Sequence, residues 1–202
     1  MNVGRVEVLS ESPRIYRYKN FLSGEECDEI ISLGESKLQA SSVAGASGTP
    51  EQSKVRTSHG TFLEQHELLR KIEDRIAIWT QIPPEHGESF YLLRYENGQE
   101  YLPHFDFFDP ALPGMSNFLG PQGQRTATVL LYLQTPEQGG ETTFPGAGIH
   151  VPAIRGDAVL FWSQTPDHQL DRTSLHGGKV VHSGTKYCAT KWIRENRNRP
   201  RG

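Results

Sequence analysis

In the front part of the chain the apolar positions follow two different spacings. Residues 5–21 (R-V-E-V-L-S-E-S-P-R-I-Y-R-Y-K-N-F) alternate apolar and polar, which predicts one or two short strands. A helix is predicted to open at Ser23: Ser23 and Glu26 have capping-box spacing, and Glu25 and Glu26 suit the positive end of its dipole. Cys27, Ile30, Ile31 and Leu38 form its candidate buried face, so Cys27 reads as core rather than as a reactive thiol. Ala40 to Gln52 is rich in Ser, Gly and Ala and reads as a mobile loop, followed by a strand over 54–63. A second helix carries Leu69, Ile72, Ile76 and Trp79 on one stripe, with Trp79 in the core, and ends at Pro83 and Pro84. His59, His66 and His86 lie in polar surroundings and read as solvated surface residues.

Beyond residue 88 the pattern becomes one of short apolar runs between turns. Strands are predicted at 88–95, 101–106, 125–134, 141–144, 148–153, 157–162, 178–183 and 186–194. Asn97-Gly98, Gly139-Gly140, Arg155-Gly156 and Ser183-Gly184 mark turns between them. Many short strands behind two helices predict helices packed on an all-β, jelly-roll-like core, mainly β within an α+β class. Residues 107–123 are rich in Pro and Gly and form a long loop of the kind that covers a site. The tail 195–202 reads as disordered, its arginines as a solvated end.

Length and composition narrow the class. At 202 residues one domain is the expectation, with its β core over about 88–194. A net charge of -3 gives no global attraction to nucleic acid or an anionic membrane. Cys27 and Cys188 form no metal pair or disulfide framework and read as reduced thiols. No apolar run is long enough to span a membrane and residues 1–9 do not read as a signal peptide, so a cytoplasmic location is expected, with no membrane partner.

The chemistry gathers at Y-E-N-G-Q-E-Y-L-P-H-F-D, residues 95–106. On a strand, His104 and Asp106 share one face and aim an imidazole and a carboxylate at one point. A second histidine would complete a two-His-one-carboxylate set, which suits non-haem Fe(II) and leaves positions open for substrates. His150, His168, His176 and His182 are the candidates. His168 sits in a loop-like segment and His150 lacks nearby site-like residues. A strand from 176 to 182, a turn at Ser183-Gly184 and a return at Lys186 would leave His176 one strand-length deeper than Lys186. A small dicarboxylate could then bridge metal and ammonium. His182 lies too close to the turn, so His176 is preferred. The returning strand carries Lys186, Cys188, Thr190 and Trp192 on one face.

Taken together, these motifs resemble the prolyl 4-hydroxylase family of the Fe(II)/2-oxoglutarate dioxygenases. The matching pieces are the 95–106 motif, R-T-A-T-V-L-L-Y-L at 125–133, G-G-E-T-T-F-P at 139–145, G-D-A-V-L-F at 156–161 and the stretch from Asp171 to Trp192. V-R-T-S-H-G-T-F-L at 55–63 resembles the segment that this family folds over its peptide. The resemblance implies a double-stranded β-helix with N-terminal helices and an enzyme that hydroxylates peptidyl proline, using O2 and 2-oxoglutarate and releasing succinate and CO2. It implies His104, Asp106 and His176 as metal ligands and Lys186 as the counter-charge to the distal carboxylate of 2-oxoglutarate. Tyr95 and Thr142 would be further partners of that co-substrate, and ascorbate a further cofactor. Tyr101, Arg125 and Trp192 match peptide-contacting positions, so the expected partner is a proline-rich or collagen-like peptide, met by a monomer or homodimer. Three other readings stand beside it: an oxygenase acting on another residue or a small molecule, a non-catalytic metal-binding jelly roll, and a zinc hydrolase, in which Lys186 and the Tyr95 motif have no task.

Overall fold

The computed structural model describes residues 5–45, 47–52 and 55–198. Its front part comprises β1 (Arg5–Glu11), β2 (Arg14–Lys19), α1 (Gly24–Gly34), β3 (Gln39–Ala40), β4 (Ser42–Ala44), β5 (Pro50–Gln52), β6 (His59–Phe62) and α2 (Glu67–Thr80). Then come β7 (Tyr91–Tyr95), β8 (Tyr101–His104), β9 (Arg125–Gln134), β10 (Gln138–Gly139), β11 (Thr142–Phe144) and β12 (Ile149–Val151). The last strands are β13 (Ala158–Trp162), β14 (His176–Gly178), β15 (Val181–Ser183) and β16 (Lys186–Arg194).

Local chemistry sets the helix ends. The Ser23 hydroxyl accepts from the Glu26 amide at 3.2 Å, and the Glu26 carboxylate accepts from the Ser23 amide at 2.9 Å, closing the capping box on α1. At α2 the cap is His66, whose Nδ1 accepts from the Leu68 amide at 3.3 Å. His66 is still a surface side chain, and capping adds a role to it: an imidazole nitrogen can serve where Ser or Asp usually does. Gln81, in the left-handed region at φ 59, ends α2 before Pro83 is reached.

The strands form an antiparallel eight-stranded sheet, β1-β2-β13-β9-β16-β7-β6-β3, and a four-stranded sheet, β12-β11-β14-β8. From β7 onward the chain passes back and forth between them: β7 in the large sheet, β8 in the small, β9 in the large, β11 and β12 in the small. It continues through β13, β14 and β16 in the same alternation, winding a double-stranded β-helix. The large sheet buries both faces. On one, Leu92, Val129, Leu131 and Ala189 pack against Cys27 and Ile30 of α1 and Ile72 and Ile76 of α2. On the other, Tyr91, Leu93, Tyr132 and Phe161 meet Phe144, Val151 and Val181 across the interior of the β-helix. Trp79 is only half-buried, edge-on to Tyr18 at 5.4 Å.

Three further expectations need correcting. The segment read as a mobile loop carries the β4–β5 hairpin, paired from Ser42↔Gln52 to Ala44↔Pro50. The strand expected over 54–63 begins only at His59, and Lys54 lies outside the described residues. The tail is anchored as far as Asn198, whose amide donates to the Glu85 carbonyl at 2.9 Å, while Glu195 accepts from the Gln124 amide at 2.8 Å. Residues 199–202 lie outside the described residues. Among the described residues, no helix is long and apolar enough to cross a membrane.

Candidate active site

His104 ends β8 and His176 begins β14, and these two strands are neighbours with His104 directly opposite His176. Their close approach needs Gly177, because a Cβ there would lie 2.9 Å from the Tyr101 carbonyl oxygen and 3.0 Å from the Pro103 nitrogen. The imidazole centroids are 4.4 Å apart. β8 stops at His104, so Asp106 lies past the strand end, and the alternation expected over 101–106 does not aim its side chain. Its direction comes from Thr128 of β9, whose hydroxyl donates to Oδ2 at 2.6 Å.

Each histidine has one nitrogen already engaged. His104 Nδ1 lies 2.8 Å from the Leu102 carbonyl and His176 Nδ1 lies 3.1 Å from the Ser174 carbonyl. A carbonyl only accepts, so both Nδ1 atoms carry the proton and both Nε2 lone pairs face inward. His104 Nε2 is 3.7 Å from Asp106 Oδ1, and His176 Nε2 is 3.6 Å from Oδ2. One donor atom from each of the three residues lies within 4.8 Å of the others. Burial, and then neighbouring His176, push His104 down to about 3 against the pull of Asp106, which keeps the imidazole neutral. Burial pushes the Asp106 carboxyl up, but His176, His104, Arg125 and the Thr128 hydroxyl outweigh it and hold it at about 2. Two imidazoles with their Nε2 atoms turned inward and one deprotonated carboxylate fit a divalent iron and leave part of its coordination sphere open.

The position of Lys186 was reached by a different route from the one the sequence suggested. His176 and Lys186 are not joined by a single hairpin: β14 pairs in the small sheet, β15 pairs separately with β10, and β16 lies in the large sheet. Lys186 faces His176 across the interior, beside its strand partner Tyr95. It is buried, and its ammonium donates to the Gly140 carbonyl at 2.7 Å, 5.3 Å from the Tyr95 ring. Burial pulls its pKa below the usual lysine value, and no carboxylate among the described residues forms an ion pair with it. Thr142 lines the same cavity and accepts a hydrogen bond from the Tyr132 hydroxyl at 2.8 Å, and the Tyr132 ring lies 5.7 Å from the Lys186 ammonium. A buried ammonium lacking a carboxylate, in a cavity beside the triad, fits an anionic small molecule.

A second, wider space of about 640 Å³ opens on the outer side of the triad. Arg56, Tyr101, His104, Asp106 and Trp192 line both spaces, so the two meet at the triad. Tyr101 stacks on His104 at 3.5 Å, with the Arg56 guanidinium 4.7 Å above the Tyr101 ring. Burial raises the Tyr101 phenol to about 12. Arg125 lies over Trp192 at 3.8 Å and donates twice to Glu88, each at 2.8 Å. That pairing uses two of its five donor hydrogens. Trp192 is nine-tenths buried, yet among the described residues its indole N–H has no hydrogen-bond partner.

The walls of this groove are the β4–β5 hairpin and the segment 105–118. The second wall is tied down. The Gln124 side chain holds both the amide and the carbonyl of Phe108 at 2.8 and 2.6 Å, and Asp109 pairs with Arg172 at 2.6 Å. Arg194 donates to the carbonyls of Phe118 and Gly123. His59, His66, His86, His150, His168 and His182 line neither space.

Sequence reasoning missed Thr128, Tyr132, Arg56 and Glu88 as site residues. Thr128 and Tyr132 had a readable signal: polar groups on one parity of an otherwise apolar strand, sharing the face of Leu130. Arg56 stood in a quoted motif without a role. Glu88 had no local signal, because its partners Arg125 and Arg194 are far away in the chain.

Comparison with known proteins agrees with this geometry. A family model described as the 2OG-Fe(II) oxygenase superfamily matches residues 90–194. Probable prolyl 4-hydroxylase 3 of Arabidopsis thaliana is 44% identical over 209 residues, covering 93% of this chain and 71% of the relative. Prolyl 4-hydroxylase 1 of the same plant is 43% identical over 215 residues, covering 96% and 74%. Among solved structures, the viral collagen prolyl hydroxylase of Paramecium Bursaria Chlorella virus-1, in its 2OG complex, superposes with a TM-score of 0.70 at 30% identity, covering 89% of this chain and 95% of that one.

Proposed function

This chain belongs to the prolyl 4-hydroxylase family of the 2OG-Fe(II) oxygenases, and we propose that it hydroxylates prolyl residues within an extended, proline-rich or collagen-like peptide. His104, Asp106 and His176 would hold Fe(II), and Lys186, Tyr95 and Thr142 would receive 2-oxoglutarate. Bound there, the iron would supply the redox chemistry in which 2-oxoglutarate and O2 give succinate, CO2 and one oxygen atom for the substrate.

The residues of this chain would bind, orient and exclude water. Lys186 neutralises the distal carboxylate and fixes how deep the co-substrate sits. The Nδ1–H bonds to the Leu102 and Ser174 carbonyls keep both imidazoles in the ligating tautomer. Tyr101, Arg125 and Trp192 would hold the peptide. The unpartnered Trp192 N–H and the three remaining Arg125 donor hydrogens suit backbone carbonyls, which a polyproline II chain leaves exposed. The observation that carries the reading is the meeting of two spaces at one triad, a buried basic cavity for a small anion and an aromatic groove for a chain.

Trp192→Ala and Arg125→Ala test the groove. Each is expected to reduce peptide hydroxylation by at least ~10-fold, as loss of an aromatic or arginine anchor does at binding interfaces. Succinate formation in the absence of peptide should remain close to that of the parent. A parallel loss of both activities, or efficient turnover of free proline, would contradict a peptide groove.

A further inference from the structure

We infer that Thr128 is a positioning residue for the metal centre: its hydroxyl holds one oxygen of Asp106 and so reserves the other for the metal. The inference rests on the proposed ligand set. Asp106 lies beyond the end of β8, where strand geometry no longer fixes its side chain. Among the described residues, the Thr128 hydroxyl is the one hydrogen-bond donor to its carboxylate. At 2.6 Å the bond falls in the range of charge-assisted O–H···O⁻ contacts, about 2.5–2.7 Å. Thr128 itself is fixed, 1% exposed and held in the large sheet between Phe161 and Trp192.

The consequence concerns how many coordination positions remain. A two-His-one-carboxylate site leaves positions open only if the carboxylate gives one oxygen. A 2-oxo acid chelating through two atoms, together with O2, needs every position left free. Asp106 could bind through both oxygens, since Oδ1 faces His104 and Oδ2 faces His176 at nearly equal distances. The Thr128 proton lies on Oδ2 and lowers its basicity, which makes Oδ1 the better ligand. Valine, nearly the same shape, would leave Oδ2 buried without a donor and free to turn to the metal.

The test reads metal binding and needs no turnover. The full chain is titrated with Co(II) under anaerobic conditions, following the d–d absorption, and 2-oxoglutarate is then added to the loaded protein. Thr128→Val is expected to alter the d–d spectrum of bound Co(II) and to weaken 2-oxoglutarate binding to the loaded protein by ~10–100-fold, because the second carboxylate oxygen then takes a position that the co-substrate needs. Thr128→Ser, which keeps the hydroxyl, should bind and absorb like the parent. If the valine variant does not fold, Thr128→Ala carries the same test. A purely structural role would lower the melting temperature without moving the d–d spectrum or the 2-oxoglutarate affinity. A parent-like spectrum and parent-like 2-oxoglutarate affinity in Thr128→Val, beside a His176→Ala variant that no longer binds Co(II), would overturn the inference and leave the metal centre standing. Failure of the parent itself to bind Co(II) would remove the ligand set, and the role of Thr128 with it.

Discussion

His104→Ala, Asp106→Ala and His176→Ala are each expected to eliminate 2-oxoglutarate turnover, while His182→Ala retains it. The three side chains place their donor atoms within 4.8 Å of one another, whereas His182 is exposed on β15 and lines neither space. Loss of a ligand should cost more than the ~10–100-fold typical for loss of a ligand's outer partner. The fold should survive in each case, since the large cores lie between the helices and the large sheet and between the two sheets. Metal affinity, circular dichroism and succinate release, measured together, separate an empty site from an unfolded one. An inactive His182→Ala beside an active His176→Ala would mean that the ligand is wrongly chosen.

Lys186→Ala is expected to raise the 2-oxoglutarate requirement by ~10²-fold or more and to leave metal affinity nearly unchanged. Removing one partner of a buried ion pair costs about 3–5 kcal/mol, and each ~1.4 kcal/mol is tenfold in affinity. The ammonium is buried, donates to the Gly140 carbonyl and has no carboxylate in ion-pair range among the described residues. The bound dicarboxylate would supply that carboxylate. The same logic predicts a thermal readout, because a ligand bound only by the folded state raises its stability. Added 2-oxoglutarate should raise the melting temperature of the metal-loaded parent and shift Lys186→Ala far less. Equal 2-oxoglutarate affinity in the two proteins would remove Lys186 from the co-substrate site.

What could be read from the sequence was local. The capping box at Ser23 and Glu26, the boundaries of β9 and β16, and the face shared by Lys186, Cys188, Thr190 and Trp192 all follow from short-range periodicity. What could not be read depended on distant partners. Asp106 is aimed by Thr128, far along the chain, rather than by strand alternation. The path between His176 and Lys186 looked like one hairpin, but the two short strands there pair with different neighbours, which no period-two pattern records. The β4–β5 hairpin was hidden by its Ser, Gly and Ala composition, which lacks the alternation of a half-buried strand. His66 was overlooked as a cap because its role depends on one Nδ1 contact at a helix start.

The most direct test is mass spectrometry of a proline-rich peptide incubated with the enzyme, Fe(II), 2-oxoglutarate and isotopically labelled O2, with succinate counted in the same reaction. One labelled oxygen on a prolyl residue for each succinate released is the predicted result. Labelled oxygen on another residue, or succinate released with the peptide unchanged across a panel of proline-rich sequences, would contradict it.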